Sequence, residues 1–387
     1  MELPEVKLKI AVIASSRATY GYKRKIIGLI NRSSRLELQL IITGMHLLKE
    51  YGHSRQEIIA DGYPIAAEVE MMVGGDTPSA WAKSLGVEIQ GLAQVFSMLK
   101  PDLTLVTGDR AEMFAAAVTS AYMNIPVAHI QAGDVSGHID GSARHAITKL
   151  SHIHFSSCED STKRVERMGE ESWRIFNVGA PQLDTIINDQ KLSRIELKEK
   201  MGFDIQPPLV LVIQHPVLAE YNQAYNQMVE TMSAIKELQL QCIVIKPNID
   251  VSGLEIIRAI NECEVLPFIH TYDNLERNVF ISLLKESDVI VGNSSCGILE
   301  APSFKLPAIN IGNRQRGRMQ AVNVINVDYD RMQIKDGMEK ALHNKTFRDE
   351  LKDCVNPYGD GHSSGKIVKI LEEIKINEKL LDKRITY

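Results

Sequence analysis

None of the five cysteines, Cys158, Cys242, Cys263, Cys296 and Cys354, stands at CxxC spacing from another, and their number is odd. Neither a zinc cage nor a disulfide framework is expected from that pattern, and the chain reads as one kept in a reducing, cytoplasmic setting. There is no HExxH, and the scattered histidines give no metal-ligand spacing. There is no GxGxxG and no GxxxxGK[ST], which disfavours a dinucleotide site and a P-loop. No cofactor is expected on these grounds. No run approaches the roughly 20 apolar residues of a membrane span, and the short apolar stretch around Ile10 to Ala14 lacks the cleavage pattern of a secretory signal. A basic excess is absent as well. With 44 Lys and Arg against 49 Asp and Glu, a net charge of -5 argues against a nucleic-acid partner.

What is present is enough apolar material, 44% of 387 residues, for two cores rather than one. Short β-branched runs alternate with helical patterns, which predicts an α/β chain with parallel sheets. In the first half the runs are Leu8 to Ala14, Leu36 to Thr43, Leu103 to Thr107, Ile125 to Ile130, Ile153 to Ser157 and Arg174 to Val178. Helices are predicted over Lys23 to Asn31, Met45 to Tyr51, Pro78 to Leu99, Ala111 to Met123 and Ala143 to Leu150. A polar helical stretch around Gln182 to Gly202 reads as a connection, and Pro207-Pro208 begins a second series. Its strands are Leu209 to Ile213, Gln241 to Ile245, Glu264 to Phe268, Val289 to Val291, Pro307 to Ile311 and Val324 to Val327. The expected division is a Rossmann-like domain over 1–185, a second over 186–364, and a C-terminal helix within 365–387 that completes the first.

The polar groups gather at strand ends, where open parallel sheets bind ligands. The densest cluster is VAHIQAGDVSGHIDGSARHA at 127–146, a glycine-broken segment carrying Gln131, Asp134, Asp140 and Arg144. Asp109-Arg110 follows the Leu103 strand, Arg17 follows the first strand and His46 follows the second. In the second half His215 ends the Leu209 strand and Asn248 follows the Gln241 strand. Gly292-Asn293-Ser294-Ser295-Cys296-Gly297 leads from a strand into a helix bearing Glu300, a pattern that suits a diphosphate cradle at a helix start. It equally suits an ordinary helix cap. Arg314, Arg316 and Arg318 sit beside glycines on the next loop, where arginines can grip phosphate bidentately or simply face solvent.

Taken together these stretches resemble the hydrolysing UDP-N-acetylglucosamine 2-epimerases, enzymes that begin sialic-acid biosynthesis. The carrying residues are Gly108-Asp109-Arg110, His129 to Gly137, Ile139-Asp140, Arg144 to Leu150, Gln214-His215-Pro216, Pro247 to Asp250, Gly292 to Gly297 with Glu300, Arg314-Gln315 and Tyr358 to Gly361. The resemblance implies a GT-B-like pair of Rossmann-like domains whose sheets face an inter-domain cleft, a UDP-sugar as substrate, no metal or redox cofactor, and a homodimer or homotetramer. It implies UDP bound mostly by the second domain, with the diphosphate on Ser294, Ser295 and Gly297, the ribose on Glu300, and further contacts from Arg17, His46, Arg110, Asn248 and Arg314. The implied reaction is anti elimination of UDP across carbons 1 and 2 to a glycal, then hydration to the free 2-epimeric sugar. Proton transfer needs carboxylates or a similar base, and Asp109, Asp140 and His215 match the family's acidic and histidine positions.

Two positions depart from that family's best-known members, which carry Glu at both. Gln131 cannot carry a proton, although its amide can donate to and accept from a sugar substituent. The second is Asp134. Proton transfer then rests on Asp109, Asp140 and Asp134, or the substrate differs. UDP-2,4-diacetamido-2,4,6-trideoxyglucose is the rival to UDP-N-acetylglucosamine, and the presence of Gly141 beside Asp140 enlarges the pocket. A GT-B glycosyltransferase and a catalytically silent nucleotide-sugar sensor remain open alternatives, because fold alone does not fix function.

Overall fold

The computed structural model describes residues 7–48, 54–74, 77–135, 138–247 and 253–387. The chain divides into two compact units, Met1–Thr185 with Tyr358–Tyr387, and Ile186–Pro357. Each is an all-parallel sheet covered by helices on both faces, a Rossmann-like layer order.

Unit 1 contains β1 (Leu8–Ala14), β2 (Leu36–Thr43), β3 (Ile65–Val69), β4 (Leu103–Thr107), β5 (Val127–Ile130), β6 (Ile153–Ser156) and β7 (Ile175–Asn177). Their spatial order is β3-β2-β1-β4-β5-β6-β7. Strands buried on both faces need side chains that tolerate no water on either side, which is why β1, β4 and β5 are mostly apolar and their buried polar residues, such as Thr104 and His129, are hydrogen-bonded. One face packs Ile10, Val12 and Ile130 under the helices Arg17–Arg32 and Ser363–Glu373. The other packs Ala11, Ile13 and Val106 under Pro78–Leu99 and Ala111–Tyr122. The first of these helices is started by a reciprocal Ser16–Thr19 capping box, the third by Thr77 and a proline in its first turn.

Unit 2 contains β8 (Leu209–Ile213), β9 (Gln241–Ile245), β10 (Ile269–Tyr272), β11 (Val289–Gly292), β12 (Ala308–Ile311) and β13 (Val324–Val327), ordered β10-β9-β8-β11-β12-β13. In both sheets the strand order reverses beside the first strand, between β1 and β4 and between β8 and β11. The carboxyl ends at such a reversal diverge and leave a crevice.

Several local expectations change. The Ile65–Val69 strand was not foreseen, because only Val69 of it is fully buried. The strand expected at 264–268 is a pair of turns, with Leu266 N–H donating to the Cys263 carbonyl, and the pairing segment is β10 just beyond it. After β2 there is a 3₁₀ turn, Gly44–Leu47, in place of a helix from Met45, whose remainder at 49–53 lies outside the described residues. The helix after β5 starts at His138, not Ala143, so Gly141 is helical. The stretch 358–364, expected in the second domain, groups with unit 1. There Ala180 N–H donates to the Tyr358 carbonyl at 2.7 Å, and the Asp184 carboxylate accepts from Ser363 and Ser364 N–H at 2.9 and 2.6 Å.

Asp184 thus satisfies two orphan donors at a helix start. Replacing it by Ala leaves both N–H groups buried without that acceptor, and should lower unfolding free energy by about 1–3 kcal/mol. Asp184→Asn, which keeps one acceptor, should lose less. Urea unfolding followed by far-UV circular dichroism checks the ranking.

Candidate active site

In unit 1 the turns after the neighbouring strands β4 and β5 lie side by side, next to the reversal. Gly108 (φ 79°) makes the turn after β4, and its N–H donates to the Ile130 carbonyl at 3.0 Å. A Cβ at Gly108 would stand 3.4 Å from Gln131 Oε1, so the Gln131 amide lies over this turn. Gln131 itself has φ 64°, a left-handed conformation that costs a non-glycine residue of order 1 kcal/mol. Arg144, almost fully buried on the helix His138–Leu150, donates from Nη1 to the Gln131 carbonyl at 2.9 Å and from Nη2 to the Asp109 carboxylate. One guanidinium therefore fixes a carboxylate and a strained loop together.

His129 supports the same turn from inside. Its Nε2 bonds the Gly108 carbonyl at 2.8 Å and its Nδ1 meets the Thr148 hydroxyl at 3.1 Å. A carbonyl only accepts, so the neutral ring carries its proton on Nε2 and Nδ1 accepts from Thr148. Burial pushes this imidazole down to about 3, which keeps it uncharged. Asp134, expected among the proton carriers, accepts from Ser161 Oγ at 2.6 Å and Ser157 Oγ at 2.9 Å. Gly133 (φ 75°) beside it is required for close approach, because a Cβ there would lie 2.3 Å from the Ser161 carbonyl oxygen.

Arg110 is gripped bidentately by the buried Glu112, Nε to Oε2 at 3.1 Å and Nη2 to Oε1 at 3.0 Å. Behind this pair lie two further buried titratable groups that sequence reading missed. Burial pushes the Lys23 ammonium down to about 7, with Glu112 pulling it back up, while its Nζ donates to the Ile13 carbonyl. Burial and the neighbouring Glu112 push Glu88 up to about 8, and it accepts from Thr43 Oγ1 at 2.9 Å. His46 is buried edge-on to Tyr20, ring centroids 6.0 Å apart, and is pushed down to about 4 by burial and by Lys23. The side chains of Arg17 and Asp140 and the whole of Asn248 lie outside the described residues; the Asp140 backbone is in the first turn of the Arg144 helix.

In unit 2 the corresponding ends are Gln214-His215 after β8 and Asn293-Ser294-Ser295 after β11. Gly292 (φ 132°) is the obligatory residue between them, since a Cβ would stand 2.1 Å from the Ile213 carbonyl oxygen. The fully buried Asn293 bridges the two ends: Oδ1 accepts from His215 N–H at 2.7 Å and Nδ2 donates to the His215 carbonyl at 2.8 Å. Its own carbonyl accepts from Gln315 Nε2 at 2.8 Å and Arg314 Nη1 at 3.1 Å. His215 is held down to about 4 by burial and by Arg314, so the ring presented at this end is neutral.

Ser294 Oγ accepts from the Cys296 N–H at 3.4 Å, whereas the Ser295 side chain makes no cap bond. The following helix, Cys296–Leu299, has four residues. So short a helix sums few peptide dipoles, and the helix-start attraction for a diphosphate is correspondingly small. Gly297 is buried, and a Cβ would meet that of Ala308 at 3.2 Å, so its smallness serves packing onto β12. Glu300 closes this helix, its carboxyl pushed up by burial against the pull of Arg277 and Arg318. Among the described residues no three His, Cys, Asp or Glu side chains cluster to hold a metal ion, and no helix is long and apolar enough to cross a membrane.

Comparison with known proteins shows the family and the fold. A family model described as UDP-N-acetylglucosamine 2-epimerase matches residues 29–372. The chain is 38% identical to the UDP-N,N'-diacetylbacillosamine 2-epimerase (hydrolyzing) of Legionella pneumophila, over 98% of this chain and 99% of that one. It is 33% identical to the GDP/UDP-N,N'-diacetylbacillosamine 2-epimerase (hydrolyzing) of Campylobacter jejuni, over 94% of each. In fold it is similar to the UDP-GlcNAc 2-epimerase of Neisseria meningitidis bound to UDP-GlcNAc, with a TM-score of 0.82 at 20% identity, covering 95% of this chain and all of that one.

The depressed histidines set an acid limit on stability. His46, His152, His154 and His215 are held near 4 and His129 near 3, against an unfolded value of 6.5. The unfolded chain therefore takes up these protons first. Their contribution is fully present above about 6.5 and is lost as pH falls through about 4. Melting temperature measured from pH 7.5 to 4 should drop across that window; a flat profile would contradict the buried neutral rings.

Proposed function

The chain belongs to the UDP-N-acetylglucosamine 2-epimerase family, and we propose that it is a hydrolysing UDP-sugar 2-epimerase acting on UDP-2,4-diacetamido-2,4,6-trideoxyglucose, the UDP-N,N'-diacetylbacillosamine of its relatives' names. The observation that carries the reading is the Arg144 clamp, whose guanidinium ties the Asp109 carboxylate after β4 to the Gln131 backbone carbonyl after β5. Asp109 and, one turn before Arg144 on the same helix, Asp140 are the carboxylates available for proton transfer. One removes the carbon 2 proton while the bond from carbon 1 to the UDP oxygen breaks, leaving a double bond between the two carbons. Water then adds its oxygen to carbon 1, and a proton returns to carbon 2 from the opposite face. The released products are UDP and the 2-epimeric free sugar.

The departing diphosphate needs positive charge and hydrogen-bond donors more than proton transfer. Arg314, the Ser294 and Ser295 hydroxyls, and the neutral His215 ring supply them at the unit 2 strand ends, with Glu300 for the ribose. Gln131 is an amide where a proton carrier is familiar in related enzymes. An amide pairs in both senses with an acetamido group, which both candidate sugars carry; the diacetamido sugar is favoured by the relatives at 38% and 33% identity that are named for it. The family model's own description favours UDP-N-acetylglucosamine as the second reading.

Both sugars should be tested side by side for UDP release in a coupled assay. The diacetamido substrate should give a kcat/KM at least about tenfold higher, a difference near 1.4 kcal/mol in transition-state stabilisation. Reversal of that order would move the assignment to UDP-N-acetylglucosamine, and silence with both would defeat the epimerase reading. Asp109→Asn should lower kcat by roughly 10²–10⁴-fold with UDP affinity kept within a few-fold, while Ser294→Ala and Arg314→Ala should chiefly weaken UDP binding.

A further inference from the structure

Beyond the family-model match the chain runs on through 373–387, and this tail is built into the back of the unit 1 site. Its short helix Glu378–Leu381, capped by Asn377, buries Leu380 in the core. The fully buried Arg174 guanidinium holds it by the backbone, donating to the carbonyls of Leu380 at 2.7 Å, Lys379 at 3.1 Å and Asp382 at 3.0 Å. That clamp delivers Lys383 to the end of the helix His138–Leu150. There Nζ lies 3.2 Å from the Thr148 carbonyl oxygen, 2.6 Å from that of Lys149 and 2.7 Å from that of Ser151.

The last carbonyls of a helix have no partner within it, and they form its negative end. An ammonium with three donors is the group that answers both needs. Lys383 is itself seated by buried Glu170 at 2.8 Å, which also takes hydrogen bonds from Lys149 and His154. Burial alone would raise the Glu170 carboxyl, but His154, Lys149 and Lys383 hold it down to about 2, so it stays ionised.

We infer that Lys383 is a positioning residue for the reaction, tying the C-terminal tail to the helix that carries Asp140 and Arg144. Two bonded routes run from it to the reacting carboxylate. Along the helix, four residues or about one turn back from Thr148, stands Arg144, which grips Asp109. Across the sheet, the Thr148 hydroxyl meets His129, whose other nitrogen bonds the carbonyl of Gly108, the residue before Asp109. Loosening the cap frees the helix end and, with it, the aim of the guanidinium. The UDP-binding residues of unit 2 have no part in either route.

The kinetic consequence rests on the epimerase reading; the structural one does not. Lys383→Met should lower kcat for UDP release by about tenfold or more with KM changed less than about threefold. Lys383→Arg, which restores a charged donor, should recover most of the rate. In the same samples without substrate, hydrogen–deuterium exchange should rise in peptides covering 138–150 of the methionine variant and stay unchanged in peptides from unit 2. Should the methionine variant not accumulate folded, Lys383→Gln serves in its place. Unchanged exchange at 138–150, or a wild-type kcat, overturns the assignment, as does a fall in kcat that arginine does not repair. If the wild-type enzyme turns over neither UDP-sugar, the epimerase reading fails and the exchange result alone decides the tether.

Discussion

A single guanidinium reaches back from the helix after β5 to two strand ends at once. Arg144 pairs with Asp109 beyond β4 and donates to the Gln131 carbonyl beyond β5. Two turns that would otherwise be independent loops become one rigid wall. The strain of the left-handed Gln131 is offset there by bonds a planar, five-donor group can make and a lysine cannot. Everything around the pair serves to keep that guanidinium aimed: Thr148 and His129 hold the Gly108 turn, and Lys383 closes the helix end.

Unit 2 solves the equivalent problem without charge. The Asn293 amide exchanges two hydrogen bonds with the His215 backbone, so the ends of β8 and β11 are fastened by a side chain that mimics a strand partner. Unit 1 is thus organised around the Arg144–Asp109 ion pair and unit 2 around an amide, with the Arg314 guanidinium donating to the Asn293 carbonyl beside it.

The central strands were legible because burial on both faces leaves a continuous apolar run, as in Ile10 to Ala14 or Leu209 to Ile213. The edges were not. β3 and β10 have one neighbour each and expose part of their side chains, so Ile65–Val69 and Ile269–Tyr272 carry no such run. Gly141 misled in the other direction, since a glycine read as a loop signal is tolerated inside a helix at a cost of about 1 kcal/mol. At the site, the strand-end positions of Asp109, Gln131, His215 and Asn293 could be read from the chain. What could not be read is direction. Asp134 faces Ser157 and Ser161, Gly297 faces Ala308, and Lys23, Glu88 and Glu112 point inward from helices whose charges look like solvated ones. A charged residue on an amphipathic pattern carries no mark that its neighbours will bury it.

The proposed reaction depends on proton removal from carbon 2 by a carboxylate held at the unit 1 strand ends. The most direct measurement is the reaction run in deuterated water with UDP-2,4-diacetamido-2,4,6-trideoxyglucose, the product sugar examined by proton NMR. Elimination and hydration predict one deuterium at carbon 2 of the released sugar, with the manno configuration and one UDP per sugar. A released sugar that keeps its original hydrogen at carbon 2 would contradict it.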